Sequence, residues 1–175
     1  MSWRRIWLYY ILAALVGGAV YMEQRMQAPS LPGDNTAPPI VEYLATRIDE
    51  VELKGEGVRV AFKRTDGRWK VVDPSGVDIG SDLVDALLDT LTTIPPVEIL
   101  REQSADLGQF GLSSPRFSLE LSSEGERVAL VEIGRRNPTR TAFYARLDED
   151  GPVYLLGFNA QYYVDLIVAE VEGKN

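Results

Sequence analysis

The chain is 175 residues long, about the size of one domain, with ordinary apolar (45%) and charged (25%) fractions. Its net charge is −8, and residues 40–175 alone hold 15 Lys/Arg against 24 Asp/Glu, a balance of −9 that repels a phosphate backbone and argues against nucleic-acid partners. The absence of cysteine and histidine excludes disulfides, thiol catalysis, iron–sulfur and thiolate-zinc sites, imidazole bases and ligands, and the lipid-modified cysteine of a bacterial lipoprotein.

The chain opens on MSWRRIWLYYILAALVGGAVYMEQR, in which residues 6–22, 17 in all, carry no charge. As a helix they reach about 26 Å at about 1.5 Å per residue, the short end of what crosses a bilayer. Trp3, Trp7, Tyr9, Tyr10 and Tyr21 stand toward the ends of this run, where amphipathic rings favour the interface. Arg4 and Arg5 precede it, so the positive-inside rule keeps residues 1–5 in the cytoplasm and places the rest outside it, in the periplasm. A cleaved signal peptide has a shorter apolar core and a small-x-small site; YMEQRMQAPS offers none close to the membrane. An uncleaved anchor is therefore expected. Residues 23–39, with Pro29, Pro32, Pro38 and Pro39, read as a semi-rigid spacer of roughly 50 Å if extended at about 3.1 Å per residue.

The folded part is expected from residue 40 onward. Residues 48–54, 58–63 and 69–72 read as a three-stranded meander, turned at Gly55-Glu56-Gly57 and Thr65-Asp66-Gly67 and stopped by Asp73-Pro74. SDLVDALLDTLTTI follows as an amphipathic helix whose Val84, Leu87, Leu88 and Leu91 form one stripe. Ser81 is its expected N-cap, Asp82 and Asp85 suit its positive end, and Ile94-Pro95-Pro96 ends it. SADLGQFGL reads as one helical turn. Residues 117–121 and 128–133 then form a hairpin across Ser123-Glu124-Gly125-Glu126, and residues 141–147 and 153–156 form another across DEDGP. NAQYYVDLIVAE closes the chain as a helix capped by Asn159, with Tyr163, Leu166 and Ile167 inward. The class is α+β: antiparallel strands in two groups, each followed by a helix, behind a single N-terminal transmembrane helix. The order hints at an internal duplication.

Few segments bear on chemistry. GLSSP at residues 111–115 is not a nucleophile elbow, a serine–lysine pair or a phosphate loop, because the required glycines, base and lysine are missing. It reads as a corner, with Gly111 left-handed, Leu112 inward, and Pro115 leading into a strand whose Phe117, Leu119 and Leu121 point inward. DEDG at residues 148–151 lacks the spacing of a calcium loop and reads as a hairpin turn. GRRNPTR gathers Arg135, Arg136 and Arg140 in one loop of an acidic body, a candidate contact for an acidic partner patch or for lipid phosphates. The pairs Asp82/Asp85 and Asp148/Asp150 are read as cap and surface.

These pieces, in order, resemble the family catalogued as domain of unknown function 4340. The likeness lies in the Trp69…Pro74 strand, the leucine-rich helix, the Phe110-Gly111-Leu112…Pro115 corner, the Ile133-Gly134 strand end and the Tyr144-Ala145-Arg146 strand, over about residues 48–167. The resemblance implies a membrane-anchored bacterial protein with its domain outside the cytoplasm, often beside ABC-type or gliding-motility-type transporter components. It implies no catalytic residues and no cofactor. Several members carry tandem copies, whereas this chain has one. The expected function is a non-enzymatic accessory of a membrane complex, touching other membrane or periplasmic proteins. Two other classes stay open: a binding module for a lipid or other apolar ligand between sheet and helix, and, third, a carboxylate-dependent hydrolase.

Overall fold

Alternating apolar residues build most of this molecule, and their faces decide how its strands assemble. The computed structural model describes residues 37–55, 57–100 and 106–173. The expected anchor at 6–22, residues 1–5, most of the spacer and Glu56 of the first turn lie outside the described residues. Among the described residues no helix is long and apolar enough to cross a membrane.

The strands are β1 (Glu50–Gly55), β2 (Val58–Thr65), β3 (Arg68–Asp73), β4 (Glu98–Leu100), β5 (Phe117–Ser123), β6 (Glu126–Arg136), β7 (Ala142–Leu147) and β8 (Val153–Gly157). The helices are α1 (Ser81–Thr93), the single turn α2 (Leu107–Phe110) and α3 (Phe158–Glu172). The class is α+β, as expected, but the two strand groups are separate only along the chain. All eight strands form one antiparallel sheet in the order β3-β2-β1-β5-β6-β7-β8-β4. The join is β1 on β5, where Val51 faces Leu121 and Leu53 faces Leu119. All four are buried, so pairing these strands fuses two apolar half-faces into one and removes two exposed edges. The three-residue β4 was not foreseen; it pairs with β8 at the far edge.

Helices α1 and α3 pack on each other and on one face of the sheet. Val84, Leu87, Leu88 and Leu91 of α1 are buried as the stripe predicts, against Val60, Phe62, Phe117 and Leu119 of the same core cluster. The core takes in Ile40 and Val41 at the start of the described chain, and the Val41 N–H donates to the Leu91 carbonyl at 3.1 Å. Trp69 fastens α1 to the sheet. Its backbone N–H donates to Ser81 Oγ at 2.9 Å, its indole Nε1 donates to Asp85 Oδ1 at 2.9 Å, and the Arg64 guanidinium lies 4.6 Å from its ring centre. Ser81 is therefore not the N-cap: Gly80 holds that position, and the serine hydroxyl is taken by the strand. Asn159 is not the cap of α3 either, because Phe158 already belongs to the helix and Gly157 precedes it. Of the residues expected inward, Ile167 is buried while Tyr163 and Leu166 are half-buried. Ala160, Val164, Val168 and Val171 carry the buried face instead.

The chain passes from β3 at one edge to β4 at the other by way of α1, and must then return to the middle of the sheet to form β5. The described part of that return, α2 and the corner after it, lies against β6 on the opposite face. Asp106 caps α2 by accepting from Gly108 N–H at 2.9 Å. Gly111 is left-handed (φ 70°), and the Leu112 N–H reaches back to the Leu107 carbonyl at 2.9 Å, a Schellman ending. Leu112 is buried. Phe110 stacks on Tyr144 with ring centres 4.6 Å apart. Gly134 is buried beneath, and a β-carbon there would run into the Phe110 carbonyl oxygen. Pro115 is half-buried, and the Arg116 N–H that follows it donates to the Ile133 carbonyl at 2.8 Å. Pro74, whose peptide bond with Asp73 is cis, is half-buried at the end of β3.

Gly134→Ala forces α2 off β6 and is expected to destabilise the domain by about 1–3 kcal/mol. Urea unfolding of the two proteins measures this; an unchanged midpoint would remove the close approach from the account.

Candidate interaction surface

Most charged groups on this body are engaged within it. The face opposite the helices carries ion pairs across and along β1 and β2. Lys63 Nζ meets Glu50 Oε1 at 2.6 Å, Arg59 Nε meets Glu52 Oε1 at 2.6 Å, and Lys54 Nζ meets Glu52 Oε2 at 2.7 Å. Burial pushes the Glu52 carboxyl up, but the hydrogen bonds from Lys54 and Arg59 outweigh it and hold the group below the usual carboxylate range. Such exposed pairs contribute little each, but they neutralise this face locally. Asp85 accepts from Trp69 and from Arg64 Nη2, the latter at 2.9 Å. Asp148 sits left-handed (φ 53°) at the β7–β8 turn and accepts from Leu130 N–H at 3.1 Å. Both carboxylate pairs thus hold fold contacts through one member. Among the described residues no three acidic groups converge as a metal site would need.

The three arginines of GRRNPTR do not share one loop. Arg135 and Arg136 end β6 at a bulge: Ile133 pairs with Ala145 but Arg136 with Phe143, so three steps on β6 match two on β7. The stem of Arg135 lies against Gly111, by the α2 corner. Arg136 regains the register of the helix-side residues and lies over aromatic rings. Its guanidinium carbon is 5.2 Å from the ring centre of Phe143 and 5.2 Å from that of Phe158. The two rings are tilted together with centres 5.8 Å apart. Arg140 stands on the following turn with φ 60°, its N–H on the Asn137 carbonyl at 2.9 Å. Asn137 Oδ1 closes that turn by accepting from Thr141 N–H at 2.9 Å and Ala142 N–H at 3.2 Å.

Phe143 is buried, whereas Phe158 remains 43% exposed and Tyr162, one helical turn on, 50% exposed. Residues i and i+4 of a helix share a face, so Phe158 and Tyr162 form an apolar step beside the Arg136 guanidinium. Tyr162 is braced edge-on by Tyr163 at 5.6 Å. Arginine, tyrosine and phenylalanine are the residue types that protein interfaces enrich. A guanidinium laid on rings keeps its N–H fork free and loses little freedom on binding. The arrangement is suited to binding. Sequence reasoning named Arg136 but missed both aromatics; the available signal was two large rings at helical spacing outside the apolar stripe of α3.

Phe143→Ala removes a core ring and is expected to cost about 3–5 kcal/mol. Phe158→Ala removes a surface ring and is expected to cost under about 1 kcal/mol. Thermal melts of both variants check the contrast; equal losses would make Phe158 a core residue rather than part of a surface.

Neither a curated protein nor a solved structure matches this chain. A family model does, over residues 69–171, from the Trp69 clamp through the α2 corner, Gly134, Tyr144 and most of α3. That span is more than half of the 175 residues, and the chain belongs to the family described as domain of unknown function (DUF4340).

Proposed function

We propose that this protein is a non-enzymatic, single-pass membrane protein that holds an α+β interaction domain outside the cytoplasm, as an accessory of a membrane complex. The kind of complex suggested by the family resemblance is an ABC-type transport system. The tether is read from the uncharged run 6–22 behind Arg4 and Arg5. The mode of action is read from the solvent-facing Arg136–Phe158–Tyr162 surface, the observation that carries the proposal. Its carboxylate pairs support the same reading, since Asp85 and Asp148 are committed to contacts with Trp69, Arg64 and Leu130. A tether confines the domain to a shell about one spacer length deep and so raises its effective concentration for partners in the same membrane.

The cysteine-free chain makes topology directly measurable. Glu149→Cys, on the exposed β7–β8 turn, is expected to react with a membrane-impermeant maleimide in unlysed cells. The labelled protein is expected to stay with membranes through a carbonate wash. Labelling only after lysis, or recovery in the soluble fraction, would overturn the proposal.

A further inference from the structure

We propose that the Arg136–Phe158–Tyr162 surface receives an acidic segment of a partner protein, a carboxylate on the guanidinium and an adjoining apolar side chain on the two rings. This rests on the interaction-module reading above and names the chemistry of its partner.

Several cations on this body are held by carboxylates. Arg59 is paired with Glu52, Arg64 with Asp85, and Lys63 with Glu50. Arg146 binds Glu132 Oε2 through Nε at 2.9 Å and Nη2 at 2.6 Å. In a body of 15 basic and 24 acidic residues carboxylates are plentiful, and these cations have found one. Arg136 is exposed and is held in another way. Among the described residues it has no ion pair; what positions it is the π-face of Phe143 and of Phe158. Stacking fixes the plane of a guanidinium without consuming its N–H donors. An exposed, oriented fork with no acceptor among the described residues fits a carboxylate in two parallel hydrogen bonds.

The surroundings select the source of that carboxylate. A bilayer surface is recognised by clusters of about 4–8 basic residues. Here the bulge sends Arg135 toward the α2 corner and leaves Arg136, with Arg140 on the next turn, on an acidic body that an anionic leaflet repels. A free anion would have no use for Phe158 and Tyr162. A peptide segment uses both parts, because its acidic residue reaches Arg136 while a neighbouring apolar side chain covers the rings and shields the ion pair from water. The β6–β7 bulge and the Asn137-centred turn hold the arginine in place, so the surface is formed before the partner arrives.

The test uses the full-length chain in its own membranes. Tyr162 is replaced by the photoreactive p-benzoylphenylalanine, and in a second version Leu44, exposed at a separate site, is replaced instead. After irradiation, mass spectrometry identifies what each probe has joined. The expected product at Tyr162 is a protein segment carrying Asp or Glu within a few residues of the joined position. Its yield is expected to fall at least about tenfold with Arg136→Glu and to be unchanged with Arg68→Glu, an exposed charge on β3. Thermal melts that match the parent show that both variants are folded, and Arg136→Gln, which removes charge without reversing it, is expected to lower the yield to an intermediate level. Lipid adducts at Tyr162, segments without carboxylates, a yield indifferent to Arg136→Glu, or no adduct at all would each overturn the proposal. Protein adducts at Leu44 with none at Tyr162 would remove this surface but leave the interaction module. Absence of protein adducts at both positions would remove the two together.

Discussion

The pairing of β1 with β5 is the constraint on which the rest of this fold depends. Six residues of each strand face one another in unbroken register, from Glu50 against Ser122 to Gly55 against Phe117. Without that pairing, β1–β3 would be a small meander with only α1 above it, and β5–β8 a second sheet with only α3. Neither half would enclose a core, since small sheets bury too little apolar area to stand alone. With it, Val51, Leu53, Leu119 and Leu121 become the centre of one apolar surface, and the two helices meet over it.

The same constraint explains the residues on the other face. Because β5 lies in the middle of the sheet while the preceding strand β4 lies at its edge, the chain has to come back across the sheet. The helices occupy one face, so α2 lies on the other. Close approach to β6 requires Gly134, the reversal into β5 requires a left-handed Gly111, and Phe110 closes over Tyr144. Residues that look like scattered marks in the sequence are thus consequences of one crossing. The β6–β7 bulge follows immediately after Gly134 and turns Arg136 to the helix side, where Phe143 and Phe158 receive it. Fold and surface are linked through that single extra residue.

Much of this was legible in the chain. Alternation and Asp-Gly or Glu-Gly turns located seven of the eight strands, and the stripe of α1 fixed its buried face, because these signals are local and repeat several times. The corner at Gly111 and Leu112 was legible for the same reason. What escaped depends on tertiary partners. A strand of three residues such as β4 has no room to show alternation. Ser81 has the chemistry of a cap, but Trp69 competes for its hydroxyl. In α3 the apolar residues run nearly all round, so the inward direction is set by packing and falls on Val164 and Val171 as well as Ile167. The arginine cluster was visible as composition, but its division by a bulge was not, nor was the contact between Arg136 and a ring 22 positions away in sequence.

The proposed role as an interaction module requires a rigid contact surface. Here rigidity comes from the sheet being one cooperative body, with β6 and β7 sharing the core that β1 and β5 complete. Native-state hydrogen exchange tests that claim most directly. The account predicts that slow amides of β1, β5 and β7 exchange with one common free energy, equal to that of global unfolding. Loss of protection in β1–β3 at a distinctly lower free energy than in β5–β8 would mean two separable halves, and would contradict the account.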